Sequence, residues 1–217
     1  MSNGQLLVEP PTRTLTGIQI LGTGCYVPDK VVTNADLRES HGFDPDWIVN
    51  RTGIHERRFA PPHQATSDLC AHAAVRCLKA AGCDPSEVDL LVLATFTPDM
   101  CFPSTANLVQ DRLKLVCPAF DVQAACAGFV FALATAAQFV AAGTSRRALV
   151  LGGDCNSRVT NPGDQKSFPL FGDGAGAVLL GPGKKDQGLV AYQLGSDGSG
   201  GDLLSRPACG KIGRAHV

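Results

Sequence analysis

An α/β fold built on a mostly parallel sheet is the architecture this sequence predicts, and three features carry the prediction. Leu90-Leu91-Val92-Leu93-Ala94 is an unbroken apolar run of strand length, the pattern of a strand covered on both faces. Gly128 to Ala142 is a longer, alanine-rich apolar stretch that reads as a helix apolar all round, hence buried. Around them strand-like and helix-like segments alternate, the order that lays parallel strands side by side beneath helices.

Taken in order, the first strand is Gly17-Ile18-Gln19-Ile20-Leu21-Gly22, closed by glycines. Val31-Val32 leads to Thr33, and Asp36 three residues on completes a helix-start pair. Trp47 to Thr52 is a short helical turn ended at Gly53. Thr66 to Ala81 is a helix with Thr66 or Ser67 as its cap and Gly82 just past its end. Ser104 to Leu113 reads as helix, and Ala119 to Val122 and Ala148 to Leu151 as strands. Ala175 to Leu180 and Leu189 to Leu194 are two consecutive strands that break the alternation. Met1 to Thr16 lacks the basic, then apolar, then small-residue order of a signal peptide and reads as a flexible lead-in.

Composition narrows the function classes. At 217 residues, with 44% hydrophobic and 18% charged residues, the chain is an ordinary globular protein with a well-buried core. A net charge of −1 gives no reason to expect nucleic acid or an anionic membrane as partner. The nine cysteines are odd in number, show no CxxC or Cys/His metal spacing, and fall partly inside helix and strand patterns. They read as reduced thiols in a cytoplasm, with no metal. Val122 to Ser145 carries no charge over roughly a membrane-spanning length. Gln123, Gln138, a strand end and a turn inside it favour the centre of a layered protein instead.

Chemistry concentrates at Asp121-Val122-Gln123-Ala124-Ala125-Cys126-Ala127-Gly128-Phe129, where an apolar strand gives way to an apolar helix. A cysteine there sits at the positive end of the helix, where unpaired N–H groups favour thiolate over thiol, and the small neighbours leave it open to a thioester carbonyl. Local context leaves two readings, a nucleophile or a small buried hydrophobe. Gly172-Asp173-Gly174-Ala175-Gly176-Ala177 fits the dinucleotide pattern G-x-G-x-x-A, yet Val178-Leu179-Leu180 continues as strand where that pattern needs a helix. A tight glycine turn packed near the helix after Cys126 is the preferred reading. Trp47 and Arg51 are four apart and share a helix face, as a binding pair or as a half-buried Trp beside a surface Arg. His41, His55, His63 and His72 show no partner pattern.

Several separated segments together resemble the beta-ketoacyl-acyl-carrier-protein synthase III family of thiolase-fold condensing enzymes. They are Thr33 to Leu37, Trp47 to Arg57, Asp121 to Phe129, Phe171 to Ala177 and Asp197 to Leu204, in matching order. The resemblance implies the N-terminal half of a duplicated α/β/α fold, with residues 17–205 as the domain carrying the nucleophile. It implies that Cys126 takes an acyl group from acyl-coenzyme A and that malonyl-acyl carrier protein then condenses with loss of CO₂. Trp47 and Arg51 would hold coenzyme A at the tunnel mouth, as a substrate and not a resident cofactor. Gln165, followed by Lys166, stands where the family usually has a second arginine. Phe102 matches a position reaching across a homodimer toward the partner's acyl pocket, with a core phenylalanine as the equal alternative.

The family's His and Asn are expected in a second half. At Lys211 the resemblance stops, and one codon choice for residues 211–217 spells the opening of a common sequencing adapter. Residues 206–217 are therefore expected to be a truncated tail and the parent protein to be the enzyme, with this fragment inactive alone. Other readings are a related synthase with a different acyl donor, a non-catalytic acyl-binding or dimerisation half-protein, and a cysteine hydrolase lacking its His and Asp motifs.

Overall fold

The computed structural model describes residues 10–201. In chain order it contains β1 (Arg13–Thr16), β2 (Ile18–Tyr26), β3 (Val31–Thr33), α1 (Asn34–His41), α2 (Pro45–Thr52), β4 (Glu56–Arg58) and α3 (Thr66–Ala81). There follow β5 (Leu90–Ala94), α4 (Thr105–Arg112), β6 (Ala119–Val122), α5 (Gly128–Ala141), β7 (Ala148–Cys155), β8 (Asp173–Pro182) and β9 (Gly188–Tyr192).

Helix ends follow local chemistry. Thr33 and Asp36 form the anticipated reciprocal cap: the Thr33 N–H donates to Asp36 Oδ2 at 2.7 Å, and the Asp36 N–H to Thr33 Oγ1 at 3.1 Å. Gly53 and Gly82 end α2 and α3 in the left-handed region, at φ of 71° and 62°. The start of α3 departs from expectation. Ala65 is its cap residue, and Asp68 reaches back to accept from the Ala65 N–H at 2.7 Å. Thr66 and Ser67 point elsewhere, Thr66 Oγ1 donating to the Thr97 carbonyl and Ser67 Oγ to Asp99.

Five strands form the central sheet in the order β2-β8-β7-β5-β6. β5 pairs in parallel with β6 and β7, whereas β8 runs antiparallel to both β7 and β2. Four strands thus share one direction, but the pairings divide evenly between parallel and antiparallel. β8 follows β7 without a crossover helix, so it returns in the opposite sense and separates β7 from β2. Residues 13–16, anticipated as part of the lead-in, form β1 and pair antiparallel with β9 in a separate ribbon. Residues 202–217 lie outside the described part, and with them the expectations for the tail and for Asp202-Leu203-Leu204.

The alternating side chains of β5 divide the core. Leu91 and Leu93 face α3, packing with Cys70, Ala73, Cys77, Leu149, Leu151 and Leu179. Leu90, Val92 and Ala94 face α5, packing with Ala132, Ala136, Val140, Val150 and Leu180. A third cluster of Val32, Leu37, Phe43, Ile48 and Phe168 holds α1 and α2 beside the sheet. The uncharged segment read from sequence is the end of β6, a turn and the 14-residue α5. Among the described residues no helix is long and apolar enough to cross a membrane.

Candidate active site

Cys126 lies in a single 3-10 turn, Ala125–Ala127, that runs directly into α5. The residue before it, Ala125, has φ +44°, a left-handed conformation that costs an alanine roughly 1–2 kcal/mol. Such strain persists only where surrounding structure enforces it. Here the start of α5 is pressed onto the end of β5, since a Cβ on Gly128 would stand 3.3 Å from the Ala94 Cβ. The outcome is a cysteine side chain exposed at a helix head, not the small buried hydrophobe of the alternative reading.

Cys126 opens onto a cleft of about 550 Å³, shared with Phe129 at the head of α5 and with Gly152, Asp154, Gly174 and Gly176 on β7 and β8. Ala94, at the C-terminal end of β5, lines it too. The cleft therefore sits where the parallel strands β5 and β7 finish, the usual place for a ligand in an open α/β sheet. The glycine-rich segment is not the tight turn anticipated but the first half of strand β8, whose backbone forms one wall.

Three carboxylates hold the loops around this corner. Asp154 Oδ1 accepts from the Phe96 and Thr97 N–H groups at 3.0 and 3.2 Å and from the Thr95 and Thr97 hydroxyls at 2.9 and 3.0 Å, tying the end of β7 to the end of β5. Burial pushes its carboxyl up, against the opposing pull of those hydrogen bonds. Asp121 accepts from the Thr105 and Ala106 N–H groups at 2.8 and 2.7 Å, capping α4 from β6, and burial raises it as well. Asp173, 4% exposed, accepts from the N–H groups of Ala60 and Ser157 at 2.7 and 2.8 Å and from the Ser157 hydroxyl at 2.6 Å. Sequence reading passed over all three roles. For Asp154 the available signal was an Asp near the end of a strand that begins as the apolar run Ala148 to Leu151.

Of the four residues given a catalytic, binding or interface role from sequence, Cys126 alone lines the cleft, where the glycine-rich segment joins it through Gly172, Gly174 and Gly176. Trp47 and Arg51 share α2: Trp47 is half-buried against the third core cluster, and Arg51 is exposed. Phe102 is 86% exposed in the loop before α4, outside the core of the described residues. Gln165 and Lys166 lie between β7 and β8. Among the other described thiols, burial pushes Cys70, Cys77, Cys83, Cys117 and Cys155 up, Cys77 to about 11. Cys25 and Cys101 are exposed. Among the described residues no group of three or more His, Cys, Asp and Glu side chains is placed to hold a metal.

A five-stranded sheet with β8 reversed, helices on both faces and a cysteine at the head of the central helix defines a thiolase-like α/β chain. The family described as 3-oxoacyl-[acyl-carrier-protein (ACP)] synthase III matches residues 120–198, from β6 through Cys126 and β8. A beta-ketoacyl-[acyl-carrier-protein] synthase III of Rhodopirellula baltica is 52% identical over 214 residues, covering 90% of this chain and 62% of the relative. One from Desulfitobacterium hafniense is 49% identical over 199 residues, covering 91% and 60%. The crystal structure of 3-oxoacyl-(acyl carrier protein) synthase III from Pseudomonas aeruginosa superposes with a TM-score of 0.84 at 40% identity, over 90% of this chain and 62% of that one. The chain resembles the beta-ketoacyl-acyl-carrier-protein synthase III family and spans about three fifths of the length of these relatives.

Proposed function

We propose that this chain carries the acyl-accepting half of a beta-ketoacyl-acyl-carrier-protein synthase III. The supporting observation is Cys126, exposed on an enforced turn and facing a cleft at the carboxyl ends of parallel strands. In the first step the Cys126 thiolate attacks the thioester carbonyl of acyl-coenzyme A. The new C–S bond forms as the bond to coenzyme A breaks, and coenzyme A leaves as its thiolate. The Cys126 N–H, at the head of α5, is assigned as one donor to the tetrahedral oxyanion, an interaction worth about 3 kcal/mol in such sites. In the second step malonyl-acyl carrier protein loses CO₂ and its carbanion attacks the Cys126 thioester, releasing the cysteine and a 3-ketoacyl product. Covalent capture divides one difficult reaction into two easier ones.

The enolate-stabilising His and Asn belong, on this reading, to a second half of the fold. Arg51, exposed on α2 beside Trp47, is assigned to the phosphates of coenzyme A, with the Trp47 ring against its adenine. Phe102, 86% exposed in the loop before α4, is assigned to a contact with a second copy of the chain. Cytoplasmic residence follows from the same reading.

Incubation with acetyl-coenzyme A followed by intact-mass and peptide mapping tests the assignment. A single acetyl adduct on Cys126, absent in Cys126→Ala, is expected. Arg51→Ala should raise the acyl-coenzyme A concentration needed for half-maximal labelling several-fold. Equal acetylation of Cys25, Cys101 and Cys126 would reduce Cys126 to one exposed thiol among others.

A further inference from the structure

Glycine inside a strand costs backbone entropy and supplies no side chain to pack, so each one calls for a reason. In the central sheet the reason is usually visible. A Cβ on Gly22 would lie 2.7 Å from the Ala81 Cβ, and one on Gly153 would lie 2.6 Å from the Cys70 Sγ, so both let α3 approach. On the opposite face a Cβ on Gly152 would meet Phe129 Cδ2 at 2.9 Å. Gly174 is in ordinary contact with the Tyr26 carbonyl and Val27 at 3.4 Å. Gly176 differs from all of these: its φ lies outside the left-handed region, and an added Cβ would meet nothing within 4 Å. Neither conformation nor packing within the described residues asks for glycine there.

Its position supplies a reason. Gly176 pairs with Gly152 on β7, over which Phe129 lies, and lines the cleft that holds Cys126. We propose that Gly176 is a specificity-determining residue, its missing side chain leaving the space into which an extended, unbranched acyl group on Cys126 runs. This rests on Cys126 being the acyl acceptor and adds what sets the size of the acyl group. Val178, two residues on along the same face, bounds the space where side chains resume.

Graded-size reagents on the full 217-residue chain decide the matter. Iodoacetamide and N-octyl-iodoacetamide alkylate a thiolate by the same displacement, a C–S bond forming as iodide leaves, and differ only in the chain carried. Rates at Cys126 are read by peptide mass mapping for the wild type, Gly176→Ala and Gly176→Val, with thermal unfolding of each. The octyl-to-unsubstituted rate ratio should fall in the order Gly, Ala, Val, by about tenfold at Val, the scale on which overpacking acts. Gly176→Ala, the milder change, carries the test if the valine variant fails to fold. An unchanged ratio, or one lowered only together with the melting temperature, would overturn the assignment.

A second arm uses acetyl- and octanoyl-coenzyme A, where the same ordering is expected. Failure of wild-type Cys126 to accept any acyl group would sink the acyl-acceptor reading, while the alkylation ratio would still decide whether Gly176 controls the space.

Discussion

Across β7 and β8 the two faces of the sheet use glycine for opposite ends. Toward α3, Gly153 brings the Cys70 thiol onto the strand, and on neighbouring β2 a Cβ at Gly24 would be driven into the Ala73 carbonyl and the Cys77 amide. There glycine allows contact, and the reward is a closely packed layer of buried alanines and leucines. Toward α5, Gly152 likewise admits Phe129, but beside Gly176 the layer is left unfilled as the Cys126 cleft. One residue type thus builds both a closely packed layer and an open cleft. The backbone facing each glycine decides which.

The sharpest way to break this contrast is Gly24→Ala. Its methyl group meets helix backbone, which cannot rotate away, so the loss should be about 3 kcal/mol or more. Urea unfolding at constant m-value measures it, and a loss below about 1 kcal/mol would show that α3 is free to shift. Next in size is Asp173→Ala, which strips the acceptors from Ala60 and Ser157 in a buried setting and should cost about 2–3 kcal/mol by the same measurement. A cost near zero would mean that water replaces the carboxylate.

Asp154→Asn tests the cleft side through pH. Burial is the main reason the Asp154 carboxyl stands above its ordinary value. A carboxyl raised by folding binds more protons in the folded chain, so stability falls as pH rises from about 3.9, the unfolded value, through the higher folded one. Asn keeps an acceptor at Oδ1 and does not titrate. The variant's stability curve should therefore be flatter than the wild type's across that window, and superimposable slopes would detach Asp154 from the pH dependence. The smallest effect belongs to Gly176→Ala, which should change stability by less than about 1 kcal/mol, and in the stabilising direction. Set beside Gly24→Ala, it turns the comparison of the two faces into one number.

Local chemistry was well represented in the chain. The Thr33–Asp36 cap, the left-handed Gly53 and Gly82, and the bounds of β5 and β6 match expectation because each depends on residues a few positions apart. Cys126 at the junction of strand and helix was equally legible, since the apolar run on each side marks the junction. Strand lengths were less so: β7 extends to Cys155 and β8 begins at Asp173, because ladder bonds with neighbours carry pairing past the apolar run.

Legible in the chain alone, then, are the helices and central strands, the place of the cysteine and the family that the chain resembles. It took the packing of distant segments to set β8 backward between β7 and β2, to bring β1 to β9, and to hold Ala125 at positive φ beside the nucleophile candidate. The same packing decided the work of Asp121, Asp154 and Asp173, whose partners lie 15 to 113 residues away. Caps and periodicity are written in neighbouring residues. A carboxylate's partner, or the empty space beside a glycine, exists only once distant segments have packed.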